Sequence, residues 1–92
     1  MIVRIMGEGQ FKVNSAILDR LNELDNKIVE EVGKDNEKRM GELLREMIRI
    51  VKRAATPLDP EEILESQVII PPEDLSLKEA KKIFTGEGII PD

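Results

Sequence analysis

The sequence predicts an α+β fold: a small sheet formed by an N-terminal β-hairpin and short C-terminal strands, packed on an antiparallel pair of long helices plus a short C-terminal helix. Three observations carry that expectation. Two short alternating segments meet around Gly7-Glu8-Gly9, two long stretches of helical period are separated by three polar residues, and a proline-punctuated tail holds one β-branched run and one capped helix.

In the first segment Ile2, Arg4 and Met6 fall on one face of a strand and Val3 and Ile5 on the other, and Gln10 to Val13 read as its partner. Gly7 and Gly9 then supply the positive φ that a hairpin turn needs. Asn14 or Ser15 caps a helix whose apolar stripe is Ile17, Leu21, Leu24, Ile28 and Val32, with Gly33 stopping it as a residue just past the helix end. After Lys34 to Asn36 a second helix runs to about Ala55 on Met40, Leu44, Met47, Val51 and Ala54, a stripe widened by Leu43, Ile48 and Ile50. The short connection makes the two helices an antiparallel hairpin.

The tail carries all five prolines. Asp59 and Pro60 read as the cap and first position of a short helix ending near Glu65. Val68 to Ile70 form a strand stopped by Pro71 and Pro72. Ser76 and Glu79 stand in capping-box register before a helix using Leu77, Ala80, Ile83 and Phe84. Ile89 and Ile90, after Gly86-Glu87-Gly88, read as a last short strand.

Composition narrows the function. A chain of 92 residues suits one domain over residues 1–92. Its two aromatic residues, Phe11 and Phe84, leave the core to Ile, Leu, Val and Met, a thin core that a second copy would help to cover, so a homo-oligomer is open. With no cysteine there is neither a disulfide nor a thiol nucleophile. No secretory signal or membrane span is evident, so a soluble, cytoplasmic protein is expected. The high charged fraction, 36%, is a bias seen in proteins of hot habitats.

Net charge is −5, which together with the lack of aromatics argues against nucleic acid as a partner. The charge is uneven. Asp19 to Glu31 carries five acids and two bases, Glu37 to Arg53 three acids and six bases, and the chain from Thr56 nine acids and three bases. The two long helices are therefore expected to attract one another, and the tail to hold most of the acidity.

Chemistry-bearing patterns are sparse. Gly7-Glu8-Gly9 lacks the third glycine of a dinucleotide loop, no P-loop lysine is present, and the helix begins too far downstream. A plain turn is the better reading. With no His, Cys, Tyr or Trp, acid-base work would fall to carboxylates and lysines. Pairs such as Asp19 with Glu23 read as solvated faces, and Asp35, Asn36 and Glu37 lack the glycine and spaced acids of a calcium loop. No catalytic residue, metal or cofactor is expected, which makes a small carboxylate- or metal-dependent hydrolase the weakest alternative. Arg45, Arg49 and Arg53 recur every four residues with Lys52 beside them, a basic stripe on the second helix. It suits the helix dipole, and it is equally a docking strip for an acidic partner helix or an anionic membrane surface.

Taken in order, "MIVRIMGEGQ", "LDRLNELDN", "TPLDPEEI", "VIIPPEDLSLKEA" and "GEGIIPD" resemble the PspA-associated protein family, over essentially the whole chain. The resemblance implies a non-enzymatic accessory of the phage-shock, or envelope-stress, system. It also implies a partner: phage-shock-protein A, a long coiled-coil protein that assembles on stressed membranes, through which this protein would reach the membrane indirectly. The family pattern brings no catalytic motif, and its recurrent glycines and prolines, here Gly7, Gly9, Gly86, Gly88, Pro71 and Pro72, read as fold determinants. The expected function is an adaptor that offers Arg45, Arg49, Lys52 and Arg53 to such a partner, with a peripheral anionic-membrane binder as the alternative.

Overall fold

The computed structural model describes residues 1–59, 61–62, 64–84 and 88–90. Strands β1 (Ile2–Ile5) and β2 (Gly9–Lys12) pair antiparallel, with Val3 opposite Phe11 and Ile5 opposite Gly9. Met6, Gly7 and Glu8 make the turn. Gly7 has φ +86° and Gly9 φ +106°, and the Glu8 N–H donates to the Ile5 carbonyl at 3.0 Å.

Helix α1 (Ser15–Gly33) starts at Asn14, whose Oδ1 accepts the Ile17 N–H at 2.9 Å. The left-handed residue expected at Gly33 falls two positions later. Gly33 is the last residue of the helix, Lys34 is its C-cap, and Asp35 takes φ +58°. The Asp35 N–H then reaches the Val32 carbonyl and the Asn36 N–H the Glu31 carbonyl, the two bonds of a Schellman motif. Asn36 at once caps helix α2 (Glu37–Ala54), accepting the Arg39 N–H at 3.2 Å. One residue thus closes the first helix and opens the second, and the helices turn back on each other.

Helix α2 leads into β3 (Thr56–Pro57), which joins the free edge of β2. Strand β4 (Val68–Ile70) lies parallel to β1, completing a four-stranded mixed sheet in the order β3-β2-β1-β4. Strand β3 is an addition to the sequence reading, because two residues are too few to show a period. Helix α3 (Leu77–Ile83) is capped by Ser76, whose Oγ accepts the Glu79 N–H at 3.2 Å.

The helices cover one face of the sheet. Val3, Ile5, Phe11, Val68 and Ile70 point into a core shared with Leu21, Leu24 and Ile28 of α1, the α2 stripe, and Phe84. Strands β3 and β4 occupy opposite edges, so the chain between them must cross the sheet. It does so on the face away from the helices. Gln10, which points outward because Phe11 points inward, donates Nε2 to the Leu64 carbonyl and to Ser66 Oγ, both at 2.6 Å. Of the helix expected from Asp59 to Glu65, Pro60 and Ile63 lie outside the described residues, and the described ones are not helical. There Asp59 makes a tight turn, accepting the Glu61 N–H at Oδ1 and the Glu62 N–H at its carbonyl, both at 2.9 Å, and the described residues from Leu64 to Gln67 are in neither helix nor strand.

The expected electrostatic pairing of the long helices is not what joins them. Among the described residues the one ion pair between α1 and α2 joins Arg20 to Glu46 at 3.0 Å, a base of the acidic helix with an acid of the basic one. It is solvent-exposed and contributes at most about 1 kcal/mol. The buried apolar seam holds the hairpin, and the surplus bases of α2 stay on its outer side.

Candidate functional site: the basic face of helix α2

Helical geometry sets Gly41, Arg45, Ile48 and Lys52 on one face of α2, with Arg49 and Arg53 beside it. Ile48 is buried, and Arg45, Arg49, Lys52 and Arg53 are all exposed. The four bases do not have the same surroundings. Lys52 Nζ is held by Glu8 of the hairpin turn at 2.6 Å. Arg45, Arg49 and Arg53 form no ion pair among the described residues. Gly41 leaves room for the Arg45 guanidinium to lie back along the helix, since a Cβ at Gly41 would come 3.4 Å from Arg45 Nη1.

Facing this row is the turn after β4. Leu75 is buried, its N–H donates to the Pro72 carbonyl at 3.2 Å, and Glu37 at the start of α2 accepts the Leu77 N–H at 2.7 Å. These contacts fix Glu73 and Asp74 alongside α2. Three adjoining depressions, of about 320, 330 and 450 Å³, follow the helix from Glu37 to Arg53 and all include Glu73 in their linings. Together they make an open groove with Arg45, Arg49 and Arg53 along one wall, Glu73 and Asp74 on the other and Ile48 between, while Glu37 and Glu8 lie at its two ends. Glu73 and Asp74 also form no ion pair among the described residues, so the opposed charges line the groove without meeting across it.

A family model described as PspA-Associated protein matches residues 1–92. The chain belongs to the PspA-associated protein family. That membership links it to PspA. No curated protein and no solved structure is significantly similar to it. Among the described residues no group of three or more His, Cys, Asp or Glu is placed to hold a metal ion, and no helix is long and apolar enough to cross a membrane.

In this PspA-associated protein the second Gly-Glu-Gly has a different setting from the first. Gly86 lies outside the described residues. Gly88 has φ +88°, and after it Ile89 and Ile90 do not form the short strand expected of them. Their N–H groups are instead donated to Asp25 of α1, to Oδ1 at 3.1 Å and to Oδ2 at 3.0 Å. Asp25 is fully buried. In the sequence Asp25 stands out only as one of the five acids from Asp19 to Glu31. The signal was its register, four residues after Leu21 and three before Ile28, where a carboxylate sits in the apolar stripe and requires buried partners.

Proposed function

We propose that this protein is a non-enzymatic accessory of the phage-shock membrane-stress response, folded as one unit over residues 1–92, that binds a coiled-coil PspA-type partner through the basic face of α2. The observation that carries the reading is the row of three exposed guanidiniums, Arg45, Arg49 and Arg53, without an ion pair among the described residues of a chain whose net charge is −5. Like charges four residues apart on a helix repel by a few tenths of a kcal/mol per pair, and only Arg53 of the three stands in the last turn, where the helix dipole offsets this, so the fold gains little from the row as a whole. An acidic helix laid along it gains charge-assisted, bidentate contacts for which guanidinium is better suited than ammonium. Lys52, tied to Glu8, contributes less than the three arginines.

The test is titration calorimetry of the purified protein against PspA from the same organism. The triple variant R45E/R49E/R53E is expected to bind at least tenfold more weakly, with unchanged helicity and melting temperature. Unchanged affinity would remove this face from the interaction. Flotation with phosphatidylglycerol vesicles in the absence of PspA is expected to leave the protein in solution, and flotation of the wild type but not the triple variant would assign the row to membrane instead.

A further inference from the structure

The groove beside α2 has an asymmetry that a basic strip alone does not require. We infer that it seats a single amphipathic helix of the partner in one sense across the groove, acidic edge against Arg45, Arg49 and Arg53, apolar ridge over Ile48, and basic edge against Glu73 and Asp74. The inference rests on the proposed PspA-binding role and specifies the surface and chemistry by which it is carried out.

Charge is the first argument. Glu73 faces the arginine row across one depression, and neither side pairs with the other. Two oppositely charged walls that stay apart are matched by an occupant with opposite charges on its two edges. That is the arrangement of a helix whose positions flanking an apolar seam differ in sign, as in coiled coils. A uniformly acidic segment would gain at the arginine wall and be repelled at the other.

Backbone chemistry is the second. The groove is bordered by a helix, whose own N–H and C=O groups are paired along most of its length, and by a turn, and the edge strand β4 contributes no residue to its lining, so an extended peptide lying in it would have no strand to pair with. A helical occupant brings its hydrogen bonds satisfied and needs only side-chain contacts. From Glu37 to Arg53 the groove follows α2 for about 24 Å at 1.5 Å per residue, the length of roughly four turns of a partner helix. The Glu8–Lys52 pair at 2.6 Å stands where the hairpin turn meets α2, near the Arg53 end.

Gly41 offers a steric test that removes no charge from either wall, though a ring there shifts the Arg45 guanidinium. Its site is helical, without positive φ, and a Cβ there meets only the flexible end of Arg45 at 3.4 Å. Gly41→Phe therefore puts a ring into the groove, and replacing a mid-helix glycine keeps or raises the melting temperature. In calorimetry against PspA from the same organism, G41F is expected to lose at least tenfold in affinity. The double variant E73K/D74K, altered at exposed turn positions, is expected to lose severalfold. Wild-type affinity in either variant, with R45E/R49E/R53E still deficient, overturns the two-walled groove and leaves the basic-face reading standing. Wild-type affinity in all three sinks both.

Discussion

A Cβ on Gly88 would lie 2.5 Å from Oδ2 of Asp25, closer than any side chain can sit. The buried carboxylate and the bare Cα are thus two halves of one device: Asp25 receives the N–H groups of Ile89 and Ile90, and glycine is the residue that lets the backbone come close enough to donate them. Gly88 also has φ +88°, so conformation and space both demand it.

Gly88→Ala is expected to lower unfolding stability by about 3 kcal/mol or more, combining the strain of positive φ with displacement of a buried hydrogen-bonded carboxylate. Gly7→Ala has open space around its Cβ and is expected to lose only about 1–2 kcal/mol from φ alone. Urea unfolding of both variants checks the contrast. Equal losses would show that the Asp25 contact adds nothing.

Asp25→Asn keeps the shape but offers one acceptor and one donor to two N–H groups. It is expected to destabilise the fold by about 2 kcal/mol, because a buried donor is left facing another donor. Amide hydrogen exchange should accelerate at Ile89 and Ile90 well before it does at Val3 and Ile5 in the central strand. Unchanged protection at residues 89 and 90 would contradict the anchoring role.

Ser76→Ala removes the acceptor of the Glu79 N–H and the hydroxyl that donates to Glu79 Oε1 at 3.0 Å. The expected loss is about 1 kcal/mol, read from the thermal midpoint. Because α3 has only seven residues, its start is a large share of its local stability, and its amides should exchange faster in the variant.

Gln10→Ala cuts the two contacts that hold Leu64 and Ser66 to the outer face of the sheet. The core packs on the opposite face, so the melting temperature should move little. Cleavage after Glu61, Glu62 or Glu65 by a glutamate-specific protease is expected to quicken severalfold. Cleavage at the wild-type rate would mean that Gln10 does not hold this segment.

The helical hairpin was legible because its signals are local. Asn14 and Asn36 cap their helices through side-chain oxygens three residues from the N–H groups they accept, and the stripes of α1 and α2 repeat over nineteen and eighteen residues. The first hairpin and the Ser76 cap were legible for the same reason. The α2 bases could be found by their four-residue spacing. The opposite wall could not, since Glu73 and Asp74 come alongside α2 only when Leu75 is buried and Glu37 accepts the Leu77 N–H, a bond between residues forty apart.

Residue by residue, the sequence determined the elements whose hydrogen bonds close within a few positions, together with the unequal charge of the two helices and the family pattern. Tertiary structure decided whatever depends on partners far along the chain. It placed Leu64 and Ser66 against Gln10 on the outer face of the sheet, between β3 and β4 on opposite edges. It made Asp25 a buried anchor, as burial of a carboxylate in an apolar stripe is tolerated only when donors arrive, here from sixty-four and sixty-five residues away. And it separated Lys52, neutralised by Glu8, from Arg45, Arg49 and Arg53, a difference that spacing on one helix cannot express because it is made by the turn packed against it.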